Sequence, residues 1–335
     1  MIQPAIAQLV DSRSLDQRAA REAMEEILAG RATPAQIAGL AVALRMKGET
    51  PDEIAGMAEA MRQRVSPIRT RRAMLLDTCG TGGDNAGTFN ISTTVAITTA
   101  ACGVAVAKHG NRAISSRAGS ADVLEQLGVS IDLTPEGAAR SIDGVGIAFL
   151  FAPHYHVALS HAANPRRELG IRTVFNVLGP LTNPAGARRQ LMGVYHDRLV
   201  RPAAEVLARL GSERAWVVHG HDGLDELTVY DKTHVAELAR GAIGEFEIDP
   251  ADLGLAHTDR APIAGGTPAE NAARIRDVLA GEQGAARDIV LLNTGAALVV
   301  AEAARNLEEG IEMARAAIDS GAAAAKLDEL AQFRA

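Results

Sequence analysis

The residues best suited to chemistry form a glycine-rich run over 77–84, Asp-Thr-Cys-Gly-Thr-Gly-Gly-Asp. A short apolar run at 74–76 precedes it, and a long stretch of small residues at 94–102 follows its polar continuation. Because glycine has no Cβ, such a backbone can adopt positive φ and bring N–H groups close to a ligand. Curved amides bind anions, and the start of a following helix adds positive potential. The run therefore predicts a phosphate-binding loop between a buried strand and a helix, although ordinary tight turns have the same composition.

The glycine spacing excludes two familiar nucleotide motifs. Counted from Gly82, the pattern G-x-x-x-x-G reaches Gly87, but Thr88 stands where a Walker motif has lysine. Counted from Gly80, the dinucleotide pattern G-x-G-x-x-G breaks at Asn85. We therefore expect a phosphate cradle of another kind.

A second polar loop, 108–122, follows the apolar strand predicted at 104–107. It carries lysine, arginine and several serines, which supply charged and neutral hydrogen-bond donors to phosphate. Loops that follow parallel strands meet at the carboxyl edge of the sheet, where α/β proteins bind ligands. The two loops are therefore expected to form one site.

Six stretches together resemble one family. They are GTGGD, NIST, KHGNRAISSRAGSAD, FLFAPHYH, HAANPRRELGIRTVFNVLGPLTNP and DGLDELT. In this order and spacing the chain resembles the anthranilate phosphoribosyltransferases of tryptophan biosynthesis over nearly its whole length. The resemblance implies transfer of a phosphoribosyl group from 5-phosphoribosyl 1-pyrophosphate to the amine of anthranilate, with release of pyrophosphate.

The resemblance also implies the residues of the donor site. Those expected to bind phosphoribosyl pyrophosphate are Gly80, Gly83, Asp84, Thr88, Asn90, Ile91, Ser92, Thr93, Lys108, His109, Gly110, Asn111, Arg112, Ala113, Ile114, Ser115, Ser116 and Ser120. Lys108 is expected to be the main point charge near phosphate. Because an acidic protein with a polyanionic substrate needs local cations, Mg²⁺ is the expected cofactor, with two ions per site.

The acceptor and metal residues follow from the same resemblance. Gly80, Asn111 and Arg166 are expected to contact anthranilate, with the arginine facing its carboxylate. Ser92, Asp225 and Glu226 are expected to hold Mg²⁺. An aniline nitrogen is already neutral near pH 7, so we expect no catalytic general base; the protein positions the reactants and stabilises the departing charge.

Each of these residues has a simpler reading. His109 is also compatible with a core histidine that is hydrogen-bonded to backbone, and Arg166 and Arg167 with a solvated helix end. Asp225 and Glu226 are also compatible with a solvated turn. The histidines at 154, 156 and 161 lack zinc-site spacing and are expected at the cleft wall or surface.

Composition sets the class of protein. The chain has 335 residues, 47% hydrophobic but only 3% aromatic, and a net charge of -7. Acidity and few aromatics argue against a nucleic-acid partner. We find no secretory signal and no membrane-spanning run, and we expect a cytoplasmic protein. Cys79 and Cys102 are expected to be reduced core residues without metal-ligand company.

The chain divides into two predicted domains. Residues 1–66 have several helix starts, including a capping box predicted at Ser14 and Gln17 and starts at 33–36 and 50–53. They predict a small helical domain, and the resemblance implies that a segment near 165–182 completes it and that it contributes to a homodimer. Residues 73–335 form the second predicted domain, which binds phosphoribosyl pyrophosphate and carries out catalysis.

In the second domain apolar runs alternate with helical patterns, which predicts an α/β fold with a mostly parallel sheet covered by helices. The expected strands are 73–77, 104–108, 146–151, 190–195 and 214–219. The chain beyond Asp231 is less regular, and 286–335 predicts two closing helices.

Two rival functions remain from sequence alone. A nucleoside phosphorylase of the same fold would need a lysine–serine pattern that KHGNRAISS does not match. A nucleic-acid-binding, non-enzymatic relative should have basic patches and a degraded donor loop, whereas this chain is acidic and its loop is intact.

Overall fold

The computed structural model describes residues 2–113 and 117–334. Ile114, Ser115 and Ser116, which are predicted to contact the donor, lie outside the described residues. Within the described part, no helix has the length and apolar character needed to cross a membrane.

Four helices open the chain: α1 (Ile2–Val10), α2 (Gln17–Leu28), α3 (Pro34–Lys47) and α4 (Pro51–Arg64). Helices α3 and α4 each begin with a threonine capping box followed by proline, as their sequences predict. The capping box predicted at Ser14 is wrong. Asp16 caps α2 instead, because it directly precedes the helix and its carboxylate accepts the Ala19 N–H at 2.7 Å.

A single sheet forms the centre of the remaining chain. Its described strands are β1 (Leu76–Asp77), β2 (Val106–Gly110), β3 (Ile147–Phe151), β4 (Arg189–Gly193), β5 (Arg214–Gly220), β6 (Thr233–Ala239) and β7 (Ala242–Ile248). They lie in the order β3-β2-β1-β4-β5-β6-β7. The five strands from β3 to β5 are parallel to one another. Strand β6 pairs antiparallel with both β5 and β7. The predicted α/β fold with a mostly parallel sheet is thus confirmed.

Further helices cover the sheet. They are α5 (Ile91–Ala101), α6 (Ser120–Gln126), α7 (Pro135–Gly144), α8 (Ala152–Tyr155), α9 (Ala163–Leu169), α10 (Val174–Leu178), α11 (Val200–Arg209), α12 (Pro268–Leu279), α13 (Ala285–Val300), α14 (Leu307–Asp319) and α15 (Ala322–Gln332). Short 3₁₀ helices lie at Val157–Ala162, Asp197–Leu199, Pro250–Leu253 and Ala261–Ile263.

Three details differ from the sequence predictions. Strand β1 has two residues rather than the five of 73–77. The hairpin β6–β7 was not predicted; its two-residue turn has Arg240 and Gly241 at φ 53° and 77°, the primed geometry that asparagine–glycine usually signals. The C-terminal segment forms three helices rather than two, because Gly321 at φ 78° separates α14 from α15.

Each face of the sheet has its own apolar core, and the opening helices α1 to α4 share one of these cores. On one face α5 and α13 pack against the strands. On the other, α10 and α11 lie between the sheet and the opening helices, so Val174 and Phe175 share a core with Leu40 and Leu44. The segment from α9 to α10 thus packs directly against α3 and α4.

Candidate active site

The glycine loop leaves β1 at the carboxyl edge of the sheet. Gly82, Gly83 and Gly87 have φ of 62°, 77° and 65°, which explains why glycine stands at each position. The loop is anchored on the end of β4, since the Thr81 N–H donates to the Gly193 carbonyl at 2.9 Å. The backbone of the loop is therefore curved, as an anion-binding loop requires.

The far end of the loop leads into α5. The Gly265 N–H donates to the Gly87 carbonyl at 2.6 Å, and Thr88 forms a bridge with Ala264. Asn90 precedes α5 but makes no side-chain capping bond; its amide oxygen instead accepts a hydrogen bond from Asn271 at 3.0 Å. The Asn90 side chain therefore does not cap α5, although the Ile91 N–H donates to the Phe89 carbonyl at 2.8 Å. The positive potential at the start of α5 suits anion binding.

Asp225 and Glu226 face this loop from the segment after β5. The Gly82 N–H donates to Asp225 Oδ2 at 2.6 Å, and Asp225 and Asp84 share a hydrogen bond. Glu226 accepts the backbone N–H of Ser92. Both carboxyls are half-buried rather than in a solvated turn. Burial and mutual repulsion raise the pKa of each above its ordinary value.

This oxygen cluster suits a hard divalent cation. Asp84 and Asp225 repel Glu226, and Asp84 repels Asp225, so a cation that binds near these carboxylates lowers their repulsion. Mg²⁺ takes one or two carboxylates and completes its octahedron with waters and substrate phosphates. The donor set therefore fits the expected metal.

Lys108 lies in the middle of β2, and its side chain reaches the segment that enters the loop. Its side chain is buried, with Nζ 3.4 Å from the Thr78 carbonyl oxygen. Its charge lowers the pKa values of Asp77 and Glu226, which burial raises. The predicted point charge is thus within electrostatic reach of the carboxylate cluster.

The His109 ring points into the protein. Nδ1 lies 3.1 Å from the Gly179 carbonyl oxygen, while the backbone N–H of His109 donates to Asp77 at 3.2 Å. Burial lowers the pKa of His109 to about 3, so the ring is neutral. This geometry is that of a core histidine that is hydrogen-bonded to backbone, and the ring is directed to Gly179 rather than to the loop.

The second predicted loop is only partly described. A Cβ at Gly110 would lie 2.5 Å from both the Phe149 ring and Ser120 Oγ, so that position requires glycine. Ser120 Oγ donates to the Asn111 carbonyl at 3.1 Å. Arg112 is exposed and pairs with Asp122 and Glu125 at 2.8 and 2.6 Å, and Ala113 donates its N–H to Asp122. The described part of this loop is thus held by internal bonds.

The remaining predicted residues line the start of α5 and the base of the loop. A Cβ at Gly80 would lie 3.0 Å from Asp225 Oδ2 and 3.1 Å from the Gly193 carbonyl oxygen. Ser92 is half-buried, and Ile91 and Thr93 are buried. The Ile91 side chain packs in the apolar core, and the buried Thr93 hydroxyl has no hydrogen-bond partner among the described residues.

Two arginines approach from the segment around α9. Arg166 is half-buried, lies 5.5 Å above the Phe175 ring and has a pKa lowered by burial, so it is not a solvated helix end. Arg172 was not predicted as a site residue. It donates to the Gly83 carbonyl and stacks 4.8 Å above the Tyr195 ring. The only feature of the sequence that could indicate a role for Arg172 is its position, six residues after Arg166.

The sequence analysis also does not predict the buried polar residues Asn183 and Gln190. Asn183 donates to Asp77 Oδ2 at 2.7 Å and to the Ala107 carbonyl at 2.8 Å, and Gln190 donates to the Pro180 carbonyl at 2.8 Å. Cys79 was expected to lack metal-ligand company, and this is wrong. Among the described residues, Cys79 lies with Asp77 and His109 in a cluster of metal-ligating atoms.

The histidines after β3 do not form a metal cluster within the described residues. His154 pairs with Asp132 at 3.4 Å when protonated, and the ring of His161 packs against Gly30. His156 is buried, which lowers its pKa to about 4.

Comparison with known proteins places the chain among phosphoribosyltransferases. Residues 72–324 match the family described as glycosyl transferase family, a/b domain, and residues 3–65 match its helical bundle domain. An anthranilate phosphoribosyltransferase of Moorella thermoacetica is 54% identical over 98% of this chain and 97% of its own length. The crystal structure of the anthranilate phosphoribosyltransferase from Thermus thermophilus is 45% identical, with a TM-score of 0.93 and 98% of each chain covered.

A more distant structure carries ligands. The anthranilate phosphoribosyltransferase from Saccharomyces cerevisiae in complex with PRPP and Mg is 28% identical, with a TM-score of 0.89 over 98% of this chain and 96% of that one. These relatives support neither the nucleoside phosphorylase nor the nucleic-acid-binding alternative.

Proposed function

Because the chain belongs to the anthranilate phosphoribosyltransferase family, we propose that the site at the carboxyl edge of its sheet transfers the phosphoribosyl group of 5-phosphoribosyl 1-pyrophosphate to the amine of anthranilate. One observation supports placing this activity at the site. A loop of positive-φ glycines, the start of α5, a buried lysine and three carboxylates all meet there.

The chain's own residues bind and orient the donor. The loop amides around Gly83 donate to pyrophosphate oxygens, the positive end of α5 attracts them, and Lys108 adds a fixed positive charge nearby. His109 contributes through its backbone, because its ring is directed to Gly179. Ser120 and Asn111 extend the site along the second loop.

The chemistry needs positioning more than proton transfer. The amine of anthranilate attacks the anomeric carbon, the bond from that carbon to the pyrophosphate oxygen breaks, and the attacking nitrogen later releases a proton to solvent. Since this nitrogen is neutral near pH 7, no side chain has to act as a general base. The protein lowers the barrier by aligning the reactants and by stabilising negative charge on the leaving group.

Asp225, Glu226 and Ser92 would hold Mg²⁺, in two ions per site. When bound, the metal neutralises charge on the donor's phosphates. Asp84 shares its cluster with Asp225, so it helps to set the local charge. Support for the metal comes from this oxygen-rich donor set and from the yeast relative that binds Mg.

Arg166 and Asn111 would bind the acceptor, with Gly80 beneath its ring. The arginine lies over Phe175, so its guanidinium is oriented by stacking and can pair with an ortho carboxylate. One relative, the yeast enzyme in complex with 4-fluoroanthranilate, is 27% identical to this chain.

The protein would be a two-domain, cytoplasmic homodimer. The helical domain would span residues 1–66 and be completed by the segment near 165–182. The catalytic domain would span residues 73–335. Support for a dimer comes from α1 and α3, where Val10 and Met46 expose 69% and 83% of their surface. Sedimentation of Met46→Glu, compared with the unchanged protein, tests whether this face joins two copies.

Fluorescence tests the activity directly. With the phosphoribosyl donor and Mg²⁺, the protein should consume anthranilate, and the fluorescence of anthranilate should fall. Phosphate-dependent cleavage of nucleosides with no loss of anthranilate would support the phosphorylase instead. Nucleic-acid binding with neither activity would support the non-enzymatic alternative.

A further inference from the structure

Strands β1 and β2 and the start of the glycine loop carry a carboxylate, a thiol and an imidazole whose side chains the proposed reaction does not use. An oxygen of Asp77, the sulfur of Cys79 and a ring nitrogen of His109 lie within 4.8 Å of one another. We propose that these three residues form a second metal site, which binds a zinc-type cation and is separate from the Mg²⁺ carboxylates. The proposal does not rest on the phosphoribosyl-transfer activity.

The tautomer of His109 favours metal binding. Nδ1 faces the Gly179 carbonyl at 3.1 Å, so Nδ1 carries the proton and donates it. Nε2 then presents a lone pair, and it is buried with no hydrogen-bond partner. Histidines that bind metals usually donate their other ring N–H to a carbonyl or carboxylate in this way. His109 is itself 98% buried, so water cannot readily satisfy Nε2.

Asp77 and Cys79 supply the other two ligands. Asp77 accepts hydrogen bonds from the His109 N–H and from Asn183, but a carboxylate has about four lone-pair sites and keeps capacity for a metal. The Cys79 thiol is neutral and donates weakly to the Gly80 carbonyl at 3.5 Å. When the metal–sulfur bond forms, the thiol proton is released to solvent, with no change of oxidation state.

The ligand types select the metal. Nitrogen, sulfur and carboxylate oxygen together are typical of Zn²⁺, whereas Mg²⁺ takes oxygen ligands. Tetrahedral zinc, with bonds of about 2.0–2.3 Å, holds its ligands roughly 3.3–3.8 Å apart, a spacing compatible with ligand atoms that all lie within 4.8 Å of one another. The nearby Lys108 ammonium opposes a cation, so we expect reversible binding rather than a permanent structural ion.

Cadmium provides the probe, because a cadmium–thiolate bond absorbs in the ultraviolet and needs no enzymatic activity. The full-length protein, stripped of metal with a chelator, is titrated with Cd²⁺, and Zn²⁺ is then added in competition. We expect one charge-transfer band per chain, displaced by Zn²⁺ and unchanged by excess Mg²⁺. No band, or a band that Mg²⁺ removes, would overturn the proposal.

The two cysteines give matched variants. Cys79→Ala should abolish the band, while Cys102→Ala should leave it, because Cys102 follows α5 and its sulfur contacts the Met313 carbonyl rather than Asp77 or His109. If Cys79→Ala does not fold by circular dichroism, Cys79→Gly or Cys79→Val replaces it. A band that persists without Cys79, or that is lost with Cys102, contradicts the site.

His109→Asn tests the imidazole. Asparagine keeps a donor near Gly179 but removes Nε2. Loss of an outer-shell hydrogen bond weakens metal binding by roughly 10–100-fold, and loss of a ligand should weaken it more. Cadmium affinity equal to that of the unchanged protein would exclude His109 as a ligand.

Discussion

The floor of the site consists of Asp77, Lys108, His109 and Asn183, whereas its rim is the segment 80–88. The floor residues are buried, and Asp77 accepts hydrogen bonds from the His109 backbone N–H at 3.2 Å and from Asn183 at 2.7 Å. The rim is half-buried to exposed, and at Gly82 and Gly87 nothing lies within 4 Å of where a Cβ would be. The floor thus fixes charge in place, while the rim offers amides that can adjust to a ligand.

Hydrogen bonds at Thr81, Gly82, Gly83 and Gly87 and the bridge at Thr88 join the rim to other elements. No residue of the rim is fully buried, so the rim contributes little to the apolar core. Changes at the rim should therefore alter ligand affinity with little loss of stability. Changes in the floor should do the reverse.

The largest effect is expected from the carboxylates that meet the rim. Asp225→Ala with Glu226→Ala should lower turnover more than about a hundredfold and raise the Mg²⁺ concentration for half-maximal rate, since a bound metal supplies several kcal/mol of charge stabilisation. The melting temperature should change little. Initial rates across a Mg²⁺ series measure both constants.

The matched control is Glu308→Ala with Glu309→Ala, which removes the same charge from the adjacent acidic pair at the start of α14. It should keep the original Mg²⁺ dependence. If the Asp225 and Glu226 variant has full turnover and an unchanged Mg²⁺ dependence, the pair is a structural turn.

The second prediction concerns the rim backbone. Gly83→Val should weaken donor binding by at least about a hundredfold, and Gly83→Ala by less, with the fold intact. A branched residue at φ 77° costs about 1–3 kcal/mol, so the loop must change conformation and move its amides. Calorimetry with the phosphoribosyl donor measures the loss.

Gly211→Val is the control, because Gly211 has φ 82° and open space but follows α11. This variant should lower the free energy of unfolding by a similar amount and leave donor binding intact. Unchanged donor affinity in folded Gly83→Val would show that the amides at this point do not bind the donor.

The sequence predicts residues that stand in a local pattern and misses those whose role depends on a distant partner. The rim glycines, the Asp225–Glu226 pair and Lys108 in the floor have distinctive types and spacing, and they lie on or after predicted strands. Asn183 lies 106 residues from Asp77, and its role appears when the two meet in space. Arg172 is similar, because its partners Gly83 and Tyr195 lie on other elements. Long-range pairing of this kind leaves no local pattern.

The third prediction concerns the floor. Asn183→Ala should lower the free energy of unfolding by about 2–4 kcal/mol, because Asp77 and the Ala107 carbonyl both lose a buried donor. Donor affinity in the remaining folded protein should change less than with Gly83→Val. Urea unfolding measures the stability. Asn164→Ala, at an exposed asparagine, is the control and should be nearly neutral.

The fourth prediction separates acceptor from donor. Arg166→Ala should weaken anthranilate affinity about ten- to a hundredfold, since a charge-assisted hydrogen bond is worth about 1.5–3 kcal/mol. The donor constant should change little. Steady-state kinetics with each substrate varied in turn measures both. Equal shifts in the two constants would remove Arg166 from the acceptor site.

The smallest effect is expected from Arg172, which holds the rim from outside. Arg172→Gln removes a stacked guanidinium from Tyr195 and weakens the bond to the Gly83 carbonyl, together about 0.5–1.5 kcal/mol. The donor KM should rise about two- to tenfold with kcat nearly constant, and hydrogen exchange at the amides of 80–88 should quicken. Arg167→Gln, at an exposed arginine that donates to Asn164, should change neither. If exchange in the loop is unchanged while anthranilate affinity falls, Arg172 binds the acceptor and does not position the rim.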